Sequence, residues 1–334
     1  MDHKMHAMVT RSHGGPKVLR TEEVERPEAR GKKVLIEVHA AGVNPVDWRI
    51  RRGDLRPLSY LRPQRIPGRD VAGVVVDVGD EVRGFEVGDR VFAMLDGASG
   101  GGYAEYAVAG EDAIAPIPEN LTFEEGAAVP LAALTAVQAI RNAVREVNRS
   151  APHACDTGEL ARRRVLINGA SGGVGTFAVQ FAKISGAVVT AVCSAESAAL
   201  VRELGADHVV DYEEEDFARH EERYDVIFDV VGNRSFGGCK QALCPTGVYV
   251  TTEPGPRNFL SQIATIPAHK KARVVLVKPS GEHLALLKQL FEAGRLRVVL
   301  DSVYPLEEVA EAHAHGETGH ARGKIVLRVD ASVP

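Results

Sequence analysis

The segment Val165-Leu166-Ile167-Asn168-Gly169-Ala170-Ser171-Gly172-Gly173-Val174-Gly175 constrains the fold more than any other stretch of this chain. An apolar strand runs into a glycine-dense turn, and an apolar-periodic helix begins at once. Glycine is required where a backbone turns tightly, approaches a ligand closely or packs a helix onto a strand. The unpaired N–H groups of the new helix face outward, and its positive dipole end favours an anion such as a pyrophosphate. Val174, Phe177, Ala178, Phe181 and Ala182 recur at helical spacing, and Gly186 stands where a helix would stop. Ala187-Val188-Val189-Thr190-Ala191-Val192 then reads as the next buried parallel strand. Strand, glycine loop, helix and strand in this order predict a dinucleotide site.

The end of the second strand bears on which dinucleotide. In the NAD-type version an acidic residue about 20 positions after the glycines grips the ribose 2′-hydroxyl. Here that place holds Cys193-Ser194, without a carboxylate. A carboxylate would repel a 2′-phosphate, whereas a small hydroxyl donates to one, so NADPH is the expected cofactor. Ser194 also suits the start of the following helix as an N-cap, with Ser197 beside it. No Lys or Arg follows at once, so the phosphate's counter-charge must come from elsewhere.

A chain of 334 residues is long for one core and comfortable for two domains. Its net charge of −5 carries no footprint for nucleic acid or an anionic membrane. The basic clusters Arg49-Ile50-Arg51-Arg52 and Arg162-Arg163-Arg164 read as solvated surface. No apolar run reaches membrane-spanning length, and Met1 to His6 lacks the apolar core of a signal peptide. Cys155, Cys193, Cys239 and Cys244 have spacings unsuited to a zinc site or a disulfide framework. Reduced thiols in a cytoplasmic protein are the expectation.

Short strand-like runs occupy the first third: Val34 to Ala40, Val71 to Val78 and Val87 to Ala93, bounded by Gly, Pro and Asp. Closely spaced turns without long helices predict a small barrel of antiparallel strands. From about Thr122 the period changes. Glu124 to Arg145 reads as helix interrupted at Pro130, and the alternation of a parallel sheet follows. Strands are expected at 165–169, 187–192, 209–210, 225–231 and 248–252, and helices at 174–185 and 196–204. Asn148 to Arg163 reads as a polar surface loop. Beyond residue 270 a strand at 274–277, a helix at 282–292 and a strand at 324–329 are expected.

These motifs together resemble the zinc-independent quinone oxidoreductase branch of the medium-chain dehydrogenase/reductase superfamily. The resemblance rests on Gly42-Val43-Asn44-Pro45-Val46-Asp47, Gly68-Arg69-Asp70-Val71-Ala72-Gly73, Val87 to Val91 and Gly102-Tyr103-Ala104-Glu105-Tyr106. It continues through Leu134-Thr135-Ala136, Ala170 to Gly175, Gly205 to Tyr212 and His320-Ala321-Arg322-Gly323-Lys324, so it spans nearly the whole chain. Ser171 to Gln180, Val189 to Ser194 and the His320 to Lys324 ending look most like the reticulon-interacting mitochondrial oxidoreductases and bacterial relatives.

The resemblance implies an α/β protein: a Rossmann-type cofactor domain plus a GroES-like β-barrel catalytic domain built from both chain ends. The expected boundaries are 1–122 for the catalytic domain, 123–269 for the NADPH-binding domain and 270–334 for the return. Ser171, Gly172, Gly173 and Val174 would then meet the pyrophosphate, and Ser194 and Tyr212 would border the adenosine phosphate. Val231 would pass near the adenine or ribose, while Arg322, Gly323 and Lys324 would close over the cofactor. Many relatives carry a lysine where this chain has Ser197, which removes one phosphate contact. Asn44, Asp47 and Thr135 would lie by the nicotinamide, where Asn44 or Thr135 donates to the oxygen that gains charge. Asn44-Pro45 equally suits a simple turn, and Thr135 a buried helix position. A homodimer is the implied assembly.

Zinc-dependent relatives carry a cysteine near position 44, a Gly-His-Glu at 68–70 and a four-cysteine lobe near 90–110. Here Asn44 and Gly68-Arg69-Asp70 stand instead, and the lobe has no cysteine. His313, His315 and His320 remain, in a polar stretch that reads as a solvated helix end, so no metal is expected. Without a Lewis acid, reduction of an already electrophilic acceptor is the favoured chemistry. The expected reaction is hydride transfer from NADPH to a quinone or an α,β-unsaturated carbonyl. An enoyl or alkenal reductase with the same site is the neighbouring reading. A low-turnover NADPH-binding protein, crystallin-like or a redox sensor, is the reading from another class. Substrate walls are expected in the loops Arg51 to Arg65 and Leu95 to Gly101.

Overall fold

The computed structural model describes residues 4–54, 66–96, 100–150 and 160–329. Much of both expected substrate loops (55–65 and 97–99), the middle of the expected polar loop (151–159) and Cys155 lie outside the described residues.

The chain opens with β1 (Lys4–Thr10) and β2 (Leu19–Glu25), paired antiparallel. β3 (Lys33–Val43) is the longest strand and is buried along most of its length. α1 (Pro45–Arg52) follows, with Pro45 at its first position, where a missing N–H costs nothing. Next come β4 (Asp70–Val78), β5 (Arg90–Met94), β6 (Tyr106–Gly110) and β7 (Ile114–Pro116). β5 starts later than the apolar pattern implies. Gly88 adopts φ +100°, so Val87-Gly88 is a turn and Val87 is exposed. α2 (Phe123–Ala128) is capped by Thr122 and Glu125, each side chain bonding the other's backbone N–H. Pro130 then starts a separate helix, α3 (Pro130–Ser150). The expected polar loop is therefore helical at its start, and Leu160 at its far end is buried.

β8 (Arg164–Asn168), α4 (Gly173–Ile184), β9 (Val188–Cys193), α5 (Ala198–Glu203), β10 (His208–Asp211) and β11 (Tyr224–Asp229) form the alternating section. α6 (Phe236–Cys239), β12 (Leu243–Thr251), α7 (Pro256–Ala264) and β13 (Lys271–Val274) complete it. Their six strands make one all-parallel sheet in the order β10-β9-β8-β11-β12-β13. Near-continuous apolar strands such as Val165–Ile167 and Val226–Phe228 are what a sheet covered on both faces requires. β13 lies three residues earlier than its apolar signal at 274–277. Lys271 and Arg273 are the charges an edge strand tolerates, and they mask the strand in the sequence.

The last section holds α8 (Gly281–Glu292), β14 (Leu300–Pro305), α9 (Val309–Glu317) and β15 (Lys324–Arg328). β15 inserts between β14 and β3, extending a seven-stranded sheet in the order β14-β15-β3-β4-β5-β7, with β6 also on β3. The two chain ends thus share one core, which includes Val34, Ile36, Val71, Val91, Val309 and Leu327. Two compact units result: Met1–Leu134 with Pro279–Pro334, and Thr135–Lys278.

Candidate functional site

In the parallel-sheet unit the expected cofactor residues gather at the carboxyl ends of the strands. Gly169 leaves β8 at φ +84°, and a Cβ there would strike Val231 Cγ2 at 2.5 Å. Val231, exposed, therefore sits against the glycine turn. Gly175 is the packing glycine of α4, since a Cβ would lie 2.0 Å from the Gly169 carbonyl oxygen. Ser171, Gly172, Gly173 and Val174 stay partly exposed, while α4 is buried from Gly175 to Ala182. The first N–H groups of α4 are the donors that no helical carbonyl can serve. The loop fits a pyrophosphate, because it combines those donors with close access to backbone.

Ser194 follows β9, and its hydroxyl lies 3.4 Å from that of buried Ser197. It occupies the N-cap position of a 3-10 turn (Ala195–Ser197), without a side-chain cap bond. Tyr212 is joined to the same strand end by its N–H to the Cys193 carbonyl, 3.2 Å, and is half exposed. Beneath the loop lies a group the motif reading missed. Buried Asp229 accepts from Asn168 Nδ2 at 2.8 Å, the Gly232 and Arg234 N–H groups at 3.0 Å, and the Tyr249 hydroxyl at 2.8 Å. It ties the ends of β8, β11 and β12 together. A carboxylate closing an apolar strand, as in Val226-Ile227-Phe228-Asp229, was the available signal. Burial beside Asp229 pushes the Tyr249 hydroxyl well above its ordinary range.

The other unit holds a second polar centre, entirely buried. Asp47 Oδ2 accepts from the Asn44 N–H at 3.0 Å and from the Tyr103 hydroxyl at 3.1 Å. The Asn44 side chain donates from Nδ2 to Asp70 Oδ2 at 2.9 Å, and its Oδ1 accepts from the Lys324 ammonium. Lys324 Nζ also donates to the Val43 carbonyl at 3.1 Å and lies 3.8 Å from Asp70 Oδ2. Asp70 Oδ1 accepts from the Leu131 N–H at 2.9 Å. The Tyr103 hydroxyl lies 3.2 Å from His313 Nε2. Burial raises both carboxyls to about 6, more than their nearby cations offset. Burial lowers Lys324, against the pull of Asp70 and Asp47, and raises Tyr103 well above its ordinary value.

Three expectations change here. Lys324 points into this buried centre, whereas its neighbour Arg322 is exposed, with its N–H on Asp301 at 2.6 Å. The Asn44 amide is committed at both ends, so its role in this structure is to join Lys324 to Asp70. Arg51 and His313 are fully buried, not solvated. Arg51 is paired with Glu317, and burial holds His313 neutral with a pKa of about 3. Asp47 Oδ1, Arg51 Nε and Nη1, Arg69 Nε and His313 Nδ1 have no hydrogen-bond partner among the described residues. Thr135 is buried in α3 and belongs to the parallel-sheet unit. Gly323, before β15, adopts φ +100°. The sequence reading passed over Asp70, Tyr103 and His313 as site residues, because each takes its meaning from partners distant in the chain. His315 and His320 stand apart from His313. His315 meets the Tyr304 hydroxyl at 3.0 Å, and His320 is exposed.

Two family descriptions match the chain: the alcohol dehydrogenase GroES-like domain over residues 30–119, and the zinc-binding dehydrogenase over residues 204–327. The chain is 37% identical to the chloroplastic quinone-oxidoreductase QR1 of Triphysaria versicolor, over 94% of this chain and 95% of that one. It is 35% identical to the chloroplastic NADPH-dependent alkenal/one oxidoreductase of Arabidopsis thaliana, covering 97% of this chain and 79% of the relative. Among solved structures, the quinone oxidoreductase of Coxiella burnetii superposes with a TM-score of 0.85 at 32% identity, covering 98% and 99% of the two chains. The zinc implied by the second description does not fit the residues present. Asn44, Arg69 and Asp70 stand where the resemblance leads one to expect zinc ligands, Lys324 reaches Asn44 and approaches Asp70, and among the described residues no His, Cys, Asp and Glu cluster could hold a metal. With its paired glycine-loop and GroES-like units and these relatives, the chain belongs to the quinone oxidoreductase branch of the medium-chain dehydrogenase/reductase superfamily.

Proposed function

We propose that the protein is an NADPH-dependent reductase that transfers hydride to a quinone or an α,β-unsaturated carbonyl. The observation that carries this reading is the glycine turn at 169–175, open at Ser171 to Val174 and walled by Val231, in a chain whose relatives are named for these reductions. When bound, the cofactor supplies the hydride, and the protein binds and orients it. Ser171, Gly172, Gly173 and Val174 hold the pyrophosphate through backbone N–H groups. Ser194 and Tyr212 border the adenosine phosphate, Val231 backs the ribose or adenine, and Arg322 with Gly323 forms the C-terminal border, Lys324 being held in the buried centre instead. Asn44, Asp47 and Thr135 serve the nicotinamide side, with Asn44 and Asp47 acting as a fixed scaffold. Residues 1–122 with 270–334 are taken as the catalytic domain and 123–269 as the cofactor domain.

An acceptor panel tests the reading: NADPH oxidation followed at 340 nm with short quinones and with 2-alkenals and enones. Faster turnover of quinones supports a quinone reductase, and faster turnover of enals or enones supports an alkenal reductase. Tight NADPH binding without turnover on any acceptor would leave a cofactor-binding protein instead.

The preference for NADPH has its own test. Ser194→Asp places a carboxylate where a 2′-phosphate would lie, so NADPH affinity should fall about tenfold or more relative to NADH. Equal affinities in the parent, unchanged by the substitution, would place the phosphate elsewhere. No helix among the described residues is long and apolar enough to cross a membrane. The cytoplasm is the proposed compartment, supported by free thiols at Cys193, Cys239 and Cys244. Fractionation that recovers the protein in an organelle would overturn it. A homodimer is proposed, supported by the exposed apolar side chains of α7 beside the open edge of β13.

A further inference from the structure

We propose that the Lys324 ammonium is the resident cation of an oxygen-lined site, at the place where zinc-dependent relatives hold a metal. The inference does not depend on which acceptor the protein reduces. Three oxygens surround Nζ: Asn44 Oδ1, the Val43 carbonyl at 3.1 Å, and Asp70 Oδ2 at 3.8 Å. A side-chain amide, a backbone carbonyl and a carboxylate are the donors that hard cations take. Asn44 and Asp70, at two of the places where the family resemblance puts the ligands of zinc-dependent relatives, are bonded to each other at 2.9 Å.

An isolated buried carboxylate is costly, and two of them in one centre are costlier unless a cation lies among them. Asp47 and Asp70 are both buried; Lys324 is the leading cation for Asp70, whereas Asp47 senses Arg69 first and Lys324 less. The cation is covalently tethered. β15 pairs antiparallel with β3, matching Ile325 to Val43, so the residue before that pair is delivered to Asn44 by strand register. The amide of Asn44 can face only one way, because its oxygen meets the ammonium and its nitrogen meets the carboxylate. Replacing a soft or imidazole ligand set by oxygens plus an internal ammonium removes both the ligands and the space that a metal needs.

The prediction is that the site can be vacated. Lys324→Ala leaves the oxygens in place and removes the ammonium, so the variant should gain affinity for a divalent cation. In chelator the variant should melt below the parent. At about a hundredfold excess of Mn²⁺ over its dissociation constant its midpoint should recover by ~5 °C. Equilibrium dialysis should find one Mn²⁺ per chain. The parent and Lys324→Arg should show neither effect, and Lys324→Ala combined with Asp70→Asn should lose both. A folded Lys324→Ala protein that binds no Mn²⁺ and gains no stability from it would overturn the inference. Should that variant fail to fold, ¹⁵N-lysine NMR of the parent decides. A slowly exchanging ammonium resonance, absent from Lys324→Arg, supports the inference, and its absence from the parent defeats it. Failure of the acceptor panel with success here would remove the reductase reading and leave the cation site standing.

Discussion

His313 shows how one buried side chain sets a pH response. It is held neutral, at about 3 against an ordinary 6.5, chiefly by burial and then by the Arg51 charge. Below pH 6.5 the unfolded chain takes a proton that the fold refuses. Stability from this group is therefore complete above 6.5 and is lost as the pH falls toward 3. Asp47 and Asp70 act in the opposite sense. Their carboxyls rise from 3.8 to about 6, so the fold takes up protons first, and stability falls as the pH rises from about 4 to 6. His313→Gln isolates the first effect, since its amide N–H₂ can still meet the Tyr103 hydroxyl but does not titrate. Between pH 6.5 and 4 the variant should gain on the parent by at most ~1.4 kcal/mol per pH unit. Urea unfolding at four pH values measures this. Parallel curves would mean that His313 protonates as easily in the fold as out of it.

At the scale of elements, the β8 to α4 junction is the part most sensitive to a single methyl group. Gly175→Ala drives a Cβ against the Gly169 carbonyl, a backbone atom that cannot swing aside. The substitution should cost about 1–3 kcal/mol and should weaken binding of the nicotinamide cofactor along with it, as α4 lifts from the strand. Calorimetry and fluorescence titration on the same sample would show both. Unchanged binding would mean that the cofactor does not rest on this helix. This junction was also the most legible part of the chain, because local glycine spacing and apolar period suffice to define it. The barrel-side centre was not legible in the same way. Arg51 and His313 look like solvent charges in sequence, and only pairing with Glu317 and Tyr103, distant in the chain, allows their burial. Lys324 was singled out from the ending Arg322-Gly323-Lys324, but its partners at 43, 44 and 70 follow from strand pairing, which no local pattern carries. Edge strand β13 was displaced for the converse reason, since its charges break the apolar signal.

On the scale of the molecule, the parallel-sheet unit carries several exposed apolar side chains among the described residues. Leu260 and Ile263 of α7 are 66% and 62% exposed, with Ile266 and Leu276 similarly bare, and β13 ends the sheet. Exposed aliphatic side chains clustered on one element usually mark an association site. Leu260→Glu with Ile263→Glu should therefore convert a dimer to a monomer without lowering the cooperativity of unfolding. Light scattering on parent and variant would decide it, and a parent that is already monomeric would remove the proposal.

The placement of β15 carries a consequence for synthesis. On the ribosome, the parallel-sheet unit, which closes by residue 278, is complete while the other unit still lacks its final strand. Until residues 324–328 emerge, β3 has an open edge along Ala40–Val43, and Asp70 waits without its cation. Pairing across some 280 residues is slow, because loop closure must precede its reward. The nascent chain is thus a folded dinucleotide module joined to an unfinished sheet, and that open edge is where chaperones or aggregation would compete for it.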